Sequence, residues 1–135
     1  MTRNDYEAYL AAFNARDYDA VLEFYGPDPE IRFAGYCLRG RDAVRSFYAF
    51  FHRYVRESIT YDRLIANDQM LVIEAVVRLE AIDDLTPQLL AAQGLARLFP
   101  LKAGQVIEVP QFIHYDLDQG KFVRAICTVI GAERR

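Results

Sequence analysis

The first half of the chain contains three segments in which apolar residues recur at three- and four-residue spacing, a pattern that predicts amphipathic helices. The second of them begins at an N-cap on Asp17 and ends by Gly26. The third covers about residues 41–55. The apolar faces of the first and third helices consist of Tyr6, Tyr9, Leu10 and Phe13, and of Val44, Phe47, Tyr48, Phe51 and Val55. A short strand over residues 30–33 separates the second helix from the third.

The second half alternates apolar and polar residues, which is typical of strands with one buried face. Four strands are predicted, at residues 57–66, 70–82, 105–117 and 121–130. A short helix begins at Thr86 and Pro87, and Pro110 predicts a sheet edge or a bulge because it cannot donate to a ladder. Helices followed by antiparallel strands indicate an α+β fold, and no linker divides the chain.

Composition and charge indicate which kinds of partner the protein could bind. The 135 residues carry a net charge of −3 with scattered basic residues, so nucleic acid is not an expected partner. No run approaches the roughly 20 apolar residues of a membrane span, and the acidic N-terminus does not resemble a signal peptide. We therefore expect no membrane contact and a cytoplasmic location. Eighteen Phe and Tyr side chains could fill a core and line a pocket.

The few residues that could bind metal are scattered. Cys37 and Cys127 lack the spacing of a metal site or redox pair, and the only histidines are His52 and His114. The sequence therefore predicts two reduced thiols, no metal and no cofactor.

Three segments carry a resemblance to a known family. They are YLAAFNARDYDAVLEFY, EIRFAG followed by GRDAVRSFY, and FIHYDLDQGKFVRAICTVIG. They resemble the nuclear transport factor 2-like superfamily, in particular its SnoaL-like branch of polyketide cyclase-like and ketosteroid isomerase-like proteins. The resemblance implies one domain over residues 1–135, with a cone-shaped, strongly curved mixed or antiparallel sheet and three N-terminal-half helices on its concave side. It also implies a homodimer.

The family's known chemistries do not transfer directly to this chain. Tyr9 matches the tyrosine that donates to an oxyanion in the isomerases, but Phe33 stands at the position of the proton-shuttling aspartate. Phe112 stands at that of the second donor, so isomerisation through those residues is disfavoured. The SnoaL-like cyclases use an acidic residue near the end of the fold, and here only Asp116 or His114 could replace it.

The resemblance thus gives three candidate catalytic residues. If Phe112 faces inward, alternation puts His114 and Asp116 on the same side. His114 would be the acid/base, Tyr9 an oxyanion donor and Asp116 an orienting or second carboxylate. The alternatives are a histidine hydrogen-bonded to backbone and a core tyrosine whose hydroxyl meets a carbonyl or water.

Further residues are expected to line a ligand pocket. His52 is a second polar candidate, although a histidine in such a position is more often a helix-boundary side chain. The predicted ligand-binding residues are Ile31, Phe33, Tyr48, Phe51, His52 and Phe112.

The leading functional hypothesis is binding of a small apolar oxygenated molecule, such as a polyketide or terpenoid. Cofactor-free proton transfer by an isomerase, cyclase or dehydratase would follow. The alternative is a non-catalytic ligand-binding or dimeric assembly module. A protein-interaction domain is a third class, which would need an exposed apolar patch beyond a dimer interface.

Overall fold

The computed structural model describes residues 1–131 and confirms the α+β class. Its helices are α1 Arg3–Asn14, α2 Tyr18–Glu23, α3 Arg41–Phe51 and α4 Pro87–Ala92. Its strands are β1 Tyr25–Phe33, β2 Tyr36–Arg39, β3 Val55–Ala66, β4 Met70–Ala81, β5 Val106–Asp118 and β6 Lys121–Val129.

Side-chain caps fix where α2 and α4 start. The Asp17 carboxylate accepts a hydrogen bond from the Ala20 amide, as predicted for α2. Thr86 caps α4, with Pro87 at its first position. These caps satisfy backbone N–H groups that have no partner inside the helix.

The six strands form one mixed sheet in the order β2-β1-β6-β5-β4-β3. Strands β1 and β6 run parallel, and every other neighbouring pair is antiparallel. The sheet is open, and the helices of the N-terminal half cover one face, which we call the concave face; the other is the convex face. This arrangement agrees with the expected cone.

An aromatic cluster joins α1 to the concave face of the sheet. The Tyr6 hydroxyl lies 2.8 Å from that of Tyr115 on β5, and the Tyr9 hydroxyl lies 3.1 Å from that of Tyr25 on β1. Phe122 on β6 is fully buried between these rings. Large rings with paired hydroxyls can therefore fill the core without leaving their polar atoms unsatisfied.

Alternation along β5 decides which residues reach this core. Ile113, Tyr115 and Leu117 are buried against the helices. Their neighbours Phe112, His114 and Asp116 project from the opposite side of the strand, since successive side chains alternate. The inward orientation expected for Phe112, His114 and Asp116 is therefore wrong.

Pro110 also differs from expectation, because β5 is an interior strand with continuous pairing to β4 at this residue. The Pro110 carbonyl accepts from the Ile130 amide, just beyond the end of β6. In an antiparallel pair, the N–H and C=O of one residue face the same neighbour. The hydrogen bond that Pro110 cannot donate would therefore point toward β6, at the position where the β5–β6 ladder ends.

We expect stability to fall steeply in alkali. Burial raises the pKa of Tyr9, Tyr25 and Tyr115 well above their usual value near 10. A raised folded-state pKa gives stability that is present below pH 10 and is lost as the pH rises above it. The loss should approach about 4 kcal/mol per pH unit for these three groups together. Denaturant unfolding across this range checks it, and tyrosinate absorbance that develops fully before unfolding would contradict it.

Candidate functional site

A cavity of about 180 Å³ lies between the helices and the concave face. Its lining is predominantly aromatic and aliphatic and includes Ile31, Phe33, Tyr48, Phe51, Ile113 and Tyr115. Phe99 and Val129 also line it but are 66% and 62% exposed, so they mark its mouth. An apolar cavity of about 150 Å³ is large enough to hold benzene, and this one therefore has room for a substituted ring.

Glu57 is the only charged side chain among the described residues that line this cavity. It lies on β3 opposite Leu79, in phase with the buried residues Val55 and Ile59. Alternation therefore turns its carboxylate toward the concave face. Only 15% of the Glu57 side chain is exposed.

His52 holds Glu57 from behind the cavity wall. The ring is 3% exposed and follows the last residue of α3. Its Nε2 lies 2.9 Å from Glu57 Oε1, and its Nδ1 lies 2.9 Å from the Tyr18 hydroxyl. The ring also stacks on Tyr48, with 5.2 Å between ring centroids. Glu57 is thus fixed by a buried partner that is itself held on both sides.

Tyrosine hydroxyls and the Gln111 side-chain amide supply further polar groups of the cavity. Tyr9 and Tyr25 both line it, and their mutual hydrogen bond uses one of their two O–H donors. The other proton is available for a ligand oxygen. Tyr48 also lines the cavity. Burial raises its pKa well above normal, and the nearby Glu57 carboxylate is the next largest cause. These hydroxyls therefore act as neutral donors.

Cys127 adds a thiol to the wall, and burial raises its pKa to about 12. Cys37 is exposed, and both cysteines are free. A thiol with so high a pKa stays protonated at neutral pH and is a poor nucleophile. Cys127 therefore contributes to the shape of the cavity.

The expected site residues divide into three groups. Tyr9, Ile31, Phe33, Tyr48 and Phe51 line the cavity. His52 lies behind the wall and reaches the cavity only through Glu57. Phe112, His114 and Asp116 lie on the convex face and do not line the cavity.

On the convex face, Asp116 accepts a hydrogen bond from Arg124 Nε at 2.6 Å. His114 is paired across the sheet with Val72 and Ile126. Its Nε2 is buried and has no hydrogen-bond partner among the described residues. The structure thus separates His114 and Asp116 from Tyr9 by the thickness of the sheet.

Glu57 was missed at the sequence level, although a signal was present. Val55, Glu57, Ile59 and Tyr61 alternate in one phase, so a carboxylate interrupts an otherwise apolar face. An acidic residue in a buried phase needs a partner, and His52 lies five residues earlier. Together these features could have indicated an inward-facing pair.

Two wider features bear on the site. Within residues 1–131, no three His, Cys, Asp or Glu side chains are grouped so that they could hold a metal ion. No helix in that range is long and apolar enough to cross a membrane.

The family model of the SnoaL-like domain matches residues 6–125. This chain therefore belongs to the SnoaL-like family, within the nuclear transport factor 2-like superfamily. A search of curated proteins finds no match.

Several solved structures share the fold. A candidate polyketide cyclase from Xanthomonas campestris pv. campestris is 27% identical, with 90% of this chain and 84% of that chain covered and a TM-score of 0.72. Another from a Silicibacter species is 21% identical, with coverages of 97% and 90% and a TM-score of 0.75. A Mycobacterium tuberculosis protein in complex with estradiol-17beta-hemisuccinate is 14% identical, with coverages of 90% and 87% and a TM-score of 0.66.

Proposed function

We propose that this protein binds a small apolar molecule with at least one oxygen in the concave-face cavity. The aromatic lining favours a ring system, and the volume of about 180 Å³ suits a substituted single ring. A solved relative of the same fold is described in complex with a steroid ester. Ligands of that size would have to extend through the mouth at Phe99 and Val129.

The chemistry that the site supports best is cofactor-free proton transfer, as in an isomerase, cyclase or dehydratase. Glu57 would exchange a proton with the ligand, and a tyrosine hydroxyl of the Tyr9–Tyr25 pair or Tyr48 would donate to the developing oxyanion. Because the apolar walls exclude water, each of these interactions is stronger than it would be in solvent. Glu57 thus takes the acid/base role that was expected for His114.

One observation carries the proposal: a single carboxylate faces an apolar cavity and is held there by a buried histidine. An unpaired charge in such a place would be strongly unfavourable. The 2.9 Å contact between Glu57 and His52 offsets that penalty and leaves the second carboxylate oxygen for a ligand. A cavity that served only as core would not need a charged group.

We expect 4-ethylphenol, a ring with one hydroxyl, to bind in the cavity. Methyl NMR on isoleucine-labelled protein should show saturable shifts for Ile31, Ile59 and Ile113, which line the cavity. Ile65 lies on the far side of the sheet at 78% exposure and provides the internal control. The proposal fails if no shift saturates, or if the largest shifts occur at Ile65.

A second proposal concerns assembly, and we infer that two copies pair through the convex face. Ile65, Met70 and Phe112 expose apolar surface there, at 78%, 36% and 39%. The convex face would then serve assembly, and the concave face would bind ligand.

We expect the protein to elute as a dimer in size-exclusion chromatography with light scattering. Phe112→Glu places a charge in the proposed interface and should shift the population to monomer. Phe99→Glu, at an exposed phenylalanine far from this face, is the matched control. A monomeric wild-type protein at every concentration would rule out the interface.

A further inference from the structure

The groups behind Glu57 form a continuous chain to the outside of the domain. Glu57 Oε1 meets His52 Nε2 at 2.9 Å, and His52 Nδ1 meets the Tyr18 hydroxyl at 2.9 Å. Tyr18 is only half-buried and lies on α2, away from the cavity. Two hydrogen bonds thus connect the cavity carboxylate with a side chain that solvent can reach.

The hydrogen bonds in this chain point in one direction. A carboxylate only accepts, so Nε2 carries the proton when Glu57 is ionised. In the neutral ring Nδ1 then accepts, and the Tyr18 hydroxyl donates to it. Tyr18 has a second acceptor in the Tyr48 carbonyl, but at 3.3 Å this contact is longer. Every donor therefore faces inward, from the surface toward the cavity.

We propose that Tyr18 and His52 form a proton relay that resupplies Glu57 from solvent. The inference rests on the acid/base role proposed for Glu57 and adds the route by which its proton is replaced. The Tyr18 O–H bond breaks as an Nδ1–H bond forms, and the Nε2–H bond breaks as an O–H bond forms on Glu57. A water molecule protonates the Tyr18 oxygen and leaves to bulk solvent as hydroxide, and transfer in the reverse direction restores the Nε2–H tautomer of His52.

Arg16 supports the outer end of this relay. Its Nη1 donates to the His52 carbonyl at 3.0 Å, and its Nη2 is buried without a hydrogen-bond partner among the described residues. Burial raises the pKa of Tyr18, and the Arg16 charge acts in the opposite direction. A guanidinium beside Tyr18 stabilises negative charge on its oxygen while the proton is passed inward.

Ring stacking keeps the relay aligned. The His52 ring stacks with Tyr18 and Tyr48, with centroid distances of 5.8 and 5.2 Å, and Phe13 packs edge-on against it. A ring held on three sides cannot easily turn away from Glu57. His52 and Tyr18 are thus positioning residues that act through Glu57, and they do not touch the ligand.

The test is the lifetime of the His52 Nε2–H proton against exchange with water, measured by NMR on protein with labelled histidine. Tyr18→Phe keeps the ring and its stacking but removes the hydroxyl. If Tyr18 is the route to solvent, the Nε2–H lifetime should lengthen by about a hundredfold, the scale of catalysis by one positioned proton-transfer group. Tyr54→Phe is the matched control, because Tyr54 is also half-buried and its ring packs on Phe50; this variant should leave the lifetime unchanged.

If the Tyr18 hydroxyl has only a structural role, the Nε2–H lifetime should not lengthen when it is removed. Its removal would loosen the packing around His52, and the Nε2–H lifetime in Tyr18→Phe would stay the same or shorten. Either of those results overturns the relay. The measurement needs no ligand, so failure of the relay is separable from failure of the ligand-binding proposal, which the 4-ethylphenol titration reports.

Discussion

Replacing Phe122 by alanine should lower the free energy of unfolding by about 3 to 5 kcal/mol, the range for removing a buried ring. Phe122 is fully buried, and its ring centroid lies 4.4, 5.0 and 5.2 Å from those of Tyr115, Tyr9 and Tyr25. Truncation leaves a void among rings that their paired hydroxyls hold in place. Urea denaturation of both proteins measures the change.

Phe99→Ala is the matched control, because the same side chain is removed at a position that is 66% exposed. Its effect should stay within about 0.5 kcal/mol, as for most surface substitutions. Equal losses in the two variants would mean that the aromatic cluster around Phe122 is not the centre of the core.

Glu57→Gln should weaken 4-ethylphenol binding by about 10- to 100-fold. A hydrogen bond to a charged group contributes about 1.5 to 3 kcal/mol, which corresponds to that range of affinity. Glutamine keeps the shape and can still accept from His52 Nε2, so the cavity wall should stay intact. Calorimetric or NMR titration of both proteins provides the two dissociation constants.

His114→Gln is the control for the Glu57 variant. His114 projects from the convex face, so affinity for 4-ethylphenol should remain within experimental error of the wild type. A loss of affinity in His114→Gln as large as that in Glu57→Gln would mean that the ligand binds at the residues first expected from the family resemblance.

The buried face of α1 and the starts of α2 and α4 were predictable because local signals agreed with the final packing. The limit of the third helix was wrong, since α3 ends at Phe51 and Val55 begins β3. Tyr6, Tyr9, Leu10 and Phe13 share one helical face, and all four are buried. Thr86 and Pro87 marked the start of α4 by chemistry that does not depend on the rest of the fold. Where local and global preferences coincide in this way, sequence reasoning succeeds.

The face of β5 shows how the candidate site was misplaced. Family alignment put Phe112 inward, whereas the other phase of that strand is apolar except for Gln111. It contains Ile107, Val109, Ile113, Tyr115 and Leu117. A shift of one residue exchanges the two faces completely. The strand's own alternation was therefore a better guide to orientation than correspondence with distant enzymes.

The position of Glu57 depends on contacts that one strand cannot reveal. Its partner His52 comes from the end of α3, and Tyr18 comes from α2. Alternation can place a carboxylate on the buried phase, but only the packing of α2 and α3 over the sheet brings the histidine and tyrosine into line behind it. The apolar lining was predictable from composition and pattern, while its polar centre required the tertiary structure.

The central claim is that the functional site is the concave-face cavity with Glu57 as its charged group, and a crystal structure of the 4-ethylphenol complex tests it most directly. We expect the ring among Phe33, Tyr48 and Phe51, with the phenolic oxygen within about 3 Å of a Glu57 carboxylate oxygen, the normal hydrogen-bond distance. A ligand seated on the convex face near His114, or one in the cavity whose oxygen points away from Glu57, would contradict the account.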